Sequence, residues 1–126
     1  MNAQRQIVVI APEQMIGAFS VLIDSVPEQN LLASATRLEE LLPRIGEKKP
    51  DVILIYLVRE NDVESEETFP FEVIARVKKI WPETLCVTIV KYLSQVEKVK
   101  VVGADLVLVD GVSAEKLLAA IERTLV

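Results

Sequence analysis

Short runs of β-branched and other apolar residues alternate along the chain with longer stretches in which apolar positions recur every three or four residues. The runs are Gln6–Ile10, Asn30–Ala35, Asp51–Leu57, Leu85–Val90 and Leu106–Val109. Most are unbroken and lack period-two alternation, the pattern of strands buried on both faces of a parallel sheet. Between them the helical period predicts helices over Glu13–Val26, Arg37–Glu47, Phe71–Trp81, Ser94–Val102 and Ala114–Leu125. The first places Met15, Ile16, Phe19, Leu22, Ile23 and Val26 on one face, and the second Leu38, Leu41, Leu42 and Ile45. The third carries Phe71, Ile74, Val77 and Trp81. The fourth turns Leu93, Val96 and Val99 inward, and the fifth Leu117, Ala120, Ile121 and Thr124.

The punctuation agrees with this division. Thr36 and Glu39 have capping-box spacing. Pro70 stands near the start of the third helix and Pro82 ends it. Gly103 suits the end of the fourth, and Ser113 the N-cap of the fifth. Strand–helix units in this order, joined by right-handed crossovers, predict an α/β fold: a doubly wound five-stranded parallel sheet with helices on both faces.

Length and composition narrow the function. A chain of 126 residues, half of them apolar, fits one domain over 1–126 with a real core. The net charge of −5 disfavours direct nucleic-acid binding, and the basic clusters Lys48-Lys49, Lys78-Lys79 and Lys98/Lys100 are short. Ile7–Ala11 is too short for a signal peptide and runs into Pro12-Glu13; Val52–Val58 falls far short of a membrane span. The single cysteine, Cys86, sits in an apolar run and reads as a buried thiol, consistent with a reducing cytoplasm.

Candidate chemistry is sparse. The absence of histidine excludes His-based acid–base catalysis, His-ligated metals and a phosphohistidine carrier. Gly17, Gly46, Gly103 and Gly111 form no nucleotide fingerprint, and no nucleophile–base pair or metal-ligand cluster is visible. Neither an enzyme nor a bound cofactor or metal is expected. One polar segment, Arg59–Thr68, holds Glu60, Asp62, Glu64, Glu66 and Glu67 without an EF-hand frame, and a solvated, mobile loop is expected there.

Three stretches carry a family resemblance. IVVIAPEQMIGAFSVLIDSVPE is similar to the first strand and helix of response-regulator receiver domains in regulators with a helix-turn-helix output. KKPDVILIYL resembles their Pro-Asp-hydrophobic third strand. VVGADLVLVDGVSAEKLLAAIERTL resembles their last strand and helix almost position by position. The likeness covers residues 5–125 and implies a flavodoxin-like (βα)5 receiver fold with strand order 2-1-3-4-5.

The resemblance also implies where receiver chemistry would sit. Receivers use a carboxylate pair after the first strand for Mg²⁺, a nucleophilic Asp ending the third, a Thr or Ser ending the fourth and a Lys after the fifth. Here the acidic pair falls on Ala11 and Pro12, with Glu13 the nearest carboxylate, and the nucleophile falls on Tyr56. The Thr/Ser position falls on Val90, counting from Pro82; counting back from Gly103 favours Thr88, inside the strand. The Lys position falls on Asp110, with Gly111 where Pro is usual, so its charge is inverted. The resemblance therefore implies a degenerate pseudo-receiver, a kind that occurs among signalling and clock proteins and acts by protein contact.

Two functions follow as expectations. The first is an interaction module in signal transduction or transcriptional regulation, binding a protein partner or itself through the fourth helix, fifth strand and fifth helix. Glu97, Lys98 and Val101 are its outward candidates. The alternative is a small-ligand or cation sensor using the former pocket, with Glu13, Tyr56, Lys91, Asp110 and the acidic loop. Because strands four and five would be neighbours, Lys91 could reach Asp110 as an ion pair while Tyr56 covers the old cavity.

Overall fold

The structure is a computed structural model and describes residues 5–57 and 71–125. Arg59–Thr68, with its carboxylates, lies outside the described residues, as does Pro70.

The strands are β1 (Arg5–Ile10), β2 (Gln29–Ala35), β3 (Val52–Tyr56), β4 (Leu85–Val90) and β5 (Leu106–Val109). The helices are α1 (Glu13–Asp24), α2 (Leu38–Ile45), α3 (Phe71–Ile80), α4 (Val96–Val102) and α5 (Ala114–Leu125). All strand pairs are parallel and their order is β2-β1-β3-β4-β5, as expected.

Side-chain alternation along the strands builds two apolar layers. Val8, Ile10, Ile53, Ile55, Cys86 and Val90 face Leu38, Leu41, Ile74, Val77, Trp81 and Val99 from α2 to α4 and the α3–β4 connection. Ile7, Val9, Val52, Leu54, Val87 and Ile89 face Phe19 and Ile23 of α1 and Leu117 and Ile121 of α5. β1, β3 and β4 lie inside the sheet and most of their residues are buried. β5 is an edge strand, and every residue in it is only half-buried. An unbroken apolar run thus marks an edge strand as readily as a central one.

Two local expectations are corrected. The helix start near Thr36 is shifted by one residue: Arg37 is the N-cap of α2 and makes no side-chain cap bond. Thr36 Oγ1 instead donates to Glu40 Oε2 at 3.3 Å, while the Glu39 carboxylate accepts from Arg76. The fourth helical segment opens with a 3₁₀ turn, Leu93–Gln95, before α4 begins. Its three-residue period shifts the helical phase. Leu93 is therefore 78% exposed and not inward, while Gln95 and Val99 are buried. Other boundary readings hold. Gly103 ends α4 with φ 130°, and Ser113 Oγ caps α5 by accepting from the Lys116 N–H at 3.2 Å.

Candidate functional site

Parallel pairing brings every strand's carboxyl end to one edge, where open α/β folds place their ligands. β1 delivers Ala11, which is buried, followed by Pro12 at the N-cap of α1 with extended backbone. Glu13 is exposed in the first turn of α1, a position where the helix dipole favours a carboxylate. β3 ends at half-buried Tyr56. β4 ends at fully buried Val90, and Asp110 follows β5 directly.

The two end positions of β4 and β5 are tied together by backbone, since the Asp110 N–H donates to the Val90 carbonyl at 2.7 Å. On the other side of β4, the Leu57 N–H donates to the Ile89 carbonyl at 2.9 Å. Val90 thus occupies the strand end. Thr88 lies inside β4, fully buried, with its hydroxyl 3.7 Å from Cys86 Sγ.

Tyr56 and Asp110 meet. The Tyr56 hydroxyl donates to Asp110 Oδ1 at 3.0 Å, and its ring stands edge-on to Phe19, 5.5 Å between centroids at 60°. Burial, then the hydrogen bond and charge of Asp110, push the Tyr56 phenol up to about 12. It is therefore a neutral hydrogen-bond donor at physiological pH and not a nucleophile. The Lys91–Asp110 pair that the sequence allowed is not what forms. The phenol holds the carboxylate, and Lys91 Nζ lies 5.4 Å from the Tyr92 ring centroid. A short path to an aromatic face beside it in the chain competes with a reach across to the next strand.

The Mg²⁺ that the family resemblance implies does not fit these residues. A hard cation needs oxygen ligands, and the positions that would supply them carry a buried alanine methyl, a proline ring and a phenol already donating to Asp110. Among the described residues no group of three or more His, Cys, Asp or Glu side chains could hold a metal.

Of the outward candidates on α4, Glu97 and Lys98 are exposed and Val101 is 86% exposed. Leu93 joins them once the 3₁₀ turn is taken into account. The strand-end set and this helix stripe are separate features.

A cavity of about 340 Å³ opens at the same edge; Ala11, Pro12 and Tyr56 of the expected former pocket line it, while its residues from α2 and α3 were not foreseen. Its apolar wall includes Ile10, Leu38, Ile55 and Leu57, and its polar lining Thr36, Arg37, Glu39, Tyr56, Glu72 and Arg76. The Arg76 guanidinium, through its hydrogen bond, holds the Glu39 carboxyl below its usual value. These residues come from four elements and connections, so no local motif announces them. A second groove of about 320 Å³ between α1 and α5 is lined by Phe19, Leu22, Ile89, Asp110, Val112 and Leu117, among others.

No family model matches the sequence, and no curated protein does either. Solved structures match along nearly the whole chain. A CheY-like response regulator receiver domain protein from Methanospirillum hungatei superposes with a TM-score of 0.74 at 15% identity, covering 98% of this chain and 94% of its own. A LuxR-family two-component response regulator from Aurantimonas gives 0.76 at 17% identity, covering 98% and 85%. A response regulator from Thermotoga maritima gives 0.75 at 15% identity, covering 97% and 98%. At such identities the likeness concerns architecture: the chain has the flavodoxin-like receiver fold of response regulators.

Proposed function

We propose that this chain is a non-catalytic signalling module, a pseudo-receiver that accepts no phosphoryl group and acts through contact with a protein partner or a second copy of itself. The observation that carries this reading is the Tyr56–Asp110 hydrogen bond at 3.0 Å. By the family resemblance it joins the position of the phosphoacceptor to that of the charge-pairing lysine. A phenol there cannot form an acyl phosphate, and a carboxylate there repels a phosphoryl group. A cytoplasmic setting, within signal transduction or transcriptional regulation, suits such a module. No described helix is long and apolar enough to cross a membrane.

The contact surface belongs, on this reading, to α4, β5 and α5. Leu93, Glu97, Lys98 and Val101 offer two apolar anchors flanking charge on one exposed stripe. Sedimentation velocity tests it. The distribution of species is expected to be the same with and without acetyl phosphate and Mg²⁺, and any self-association to weaken in Val101→Glu. A donor-dependent change of oligomeric state contradicts the proposal.

The cavity beside Arg37 and Arg76 favours a second reading, a small-ligand or cation sensor. Its volume falls in the range of ligand sites. Titration with inorganic phosphate or Mg²⁺, followed by amide shifts at Thr36, Leu38, Leu57 and Val73, decides it. Saturable shifts there favour the sensor over the interaction module.

A further inference from the structure

We infer that the Tyr56–Asp110 hydrogen bond is a built-in strap that closes the sheet edge over the end of β4 and holds the α1–α5 groove in one shape. β4 lies between β3 and β5, so a bond from Tyr56 to Asp110 spans two strand spacings, on the order of 10 Å. Beneath it the last two carbonyls of β4 are both engaged: Ile89 O accepts from Leu57 N–H, and Val90 O from Asp110 N–H. Backbone below and side chains above thus make a closed clasp of three strand ends. β5 needs such a clasp more than the other strands, because it is a four-residue edge strand with no partner beyond it in the sheet.

The strap also reaches a helix. The Tyr56 ring stands edge-on to Phe19 of α1. Phe19 and Asp110 both line the α1–α5 groove, together with Ile89 and Val112. One side chain therefore fixes two walls of the groove, by ring contact on the α1 side and by hydrogen bond on the β5 side. In this structure Tyr56 is a positioning residue: it sets the conformation of 110–112 and of Phe19.

Amide hydrogen exchange of the intact chain tests this. Tyr56→Phe keeps the ring and its Phe19 contact and removes only the hydroxyl. A bond to a charged acceptor is worth enough that exchange at Leu57 and Asp110 is expected to rise roughly tenfold. The core amides Val8, Val9, Ile53 and Leu54 are expected to keep their rates, and the Phe19 ring resonances to shift. A rise shared equally by the core amides makes Tyr56 a general stabiliser and overturns the strap, as does no rise at all. Asp110→Ala reads the same bond from its other end should Tyr56→Phe fold poorly. The double variant closes a cycle: a rise no larger than that of either single change supports the strap, and additive rises overturn it. The exchange pattern is independent of phosphoryl chemistry, so an adduct formed with acetyl phosphate would sink the proposed function without deciding this point.

Discussion

Three residues show how a single side chain sets behaviour. Gln29 is almost fully buried at the start of β2, and neither its Nε2 nor its Oε1 has a hydrogen-bond partner among the described residues. Leaving an amide unpaired in an apolar environment costs about 1–3 kcal/mol. Gln29→Leu is therefore expected to raise unfolding free energy by about 1–2 kcal/mol, measured by urea denaturation. A loss of stability would mean the amide is satisfied, for example by water. Cys86 and Tyr56 govern the alkaline limit. Burial pushes the Cys86 thiol to about 11, and burial with Asp110 pushes the Tyr56 phenol to about 12. Both values lie above those of the unfolded chain, so the unfolded state releases these protons first. Their contribution is complete below pH ~8.5 and is lost as pH rises through about 11 and then about 12. Tyr56 is half-exposed, and solvent screening reduces its share. Stability profiles are expected to fall across that alkaline window, and the upper part of the fall to shrink in Tyr56→Phe. An identical profile in the variant would contradict the assignment.

At the scale of elements, the ends of helices decide more than their middles. Gly103 closes α4 at φ 130°, and a Cβ built there meets Lys78 Cγ at 3.1 Å. Lys78 is itself held, donating to the Thr84 carbonyl at 3.0 Å and to Asp105 Oδ2 at 2.9 Å. Backbone strain and this contact act together, so Gly103→Ala is expected to destabilise by about 1–2 kcal/mol in thermal or urea unfolding. A neutral result would contradict the need for glycine. Leu93 and Val101 give the opposite expectation. Both are largely exposed, so Leu93→Ala and Val101→Ala are expected to change stability by less than ~0.5 kcal/mol. The sequence marked Gly103 and Ser113 correctly because glycine at a helix end and serine at an N-cap answer local backbone needs. It misplaced Leu93 because a 3₁₀ turn changes phase without changing composition, and Thr36–Glu39 because the helix begins one residue later.

At the scale of the whole molecule, the parallel sheet was legible because unbroken apolar runs alternate with helical stretches long enough for crossovers, while the strand order came from the family resemblance. The positions of the strand-end residues were legible too: Ala11, Tyr56, Val90 and Asp110 gather at one edge because each follows or ends a strand. Their partners were not legible. Tyr56 and Asp110 are 54 residues apart, and nothing local distinguishes Tyr56 from Lys91 as the group that holds Asp110. Only the packing of the Tyr56 ring against Phe19, which aims the hydroxyl toward β5, resolves that choice. The cavity was legible only in part: Ala11, Pro12 and Tyr56 stand at strand-end positions, but the rest of its polar lining converges from α2, α3 and the β2–α2 connection.

The central claim is that this receiver fold carries no phosphoryl acceptor at the end of β3. Intact-mass spectrometry of the chain after incubation with acetyl phosphate and Mg²⁺ tests it most directly. The account predicts an unmodified mass, because by the family resemblance the acceptor position falls on Tyr56, whose hydroxyl is bound to Asp110. A stoichiometric adduct that survives acid and is lost in base would contradict it.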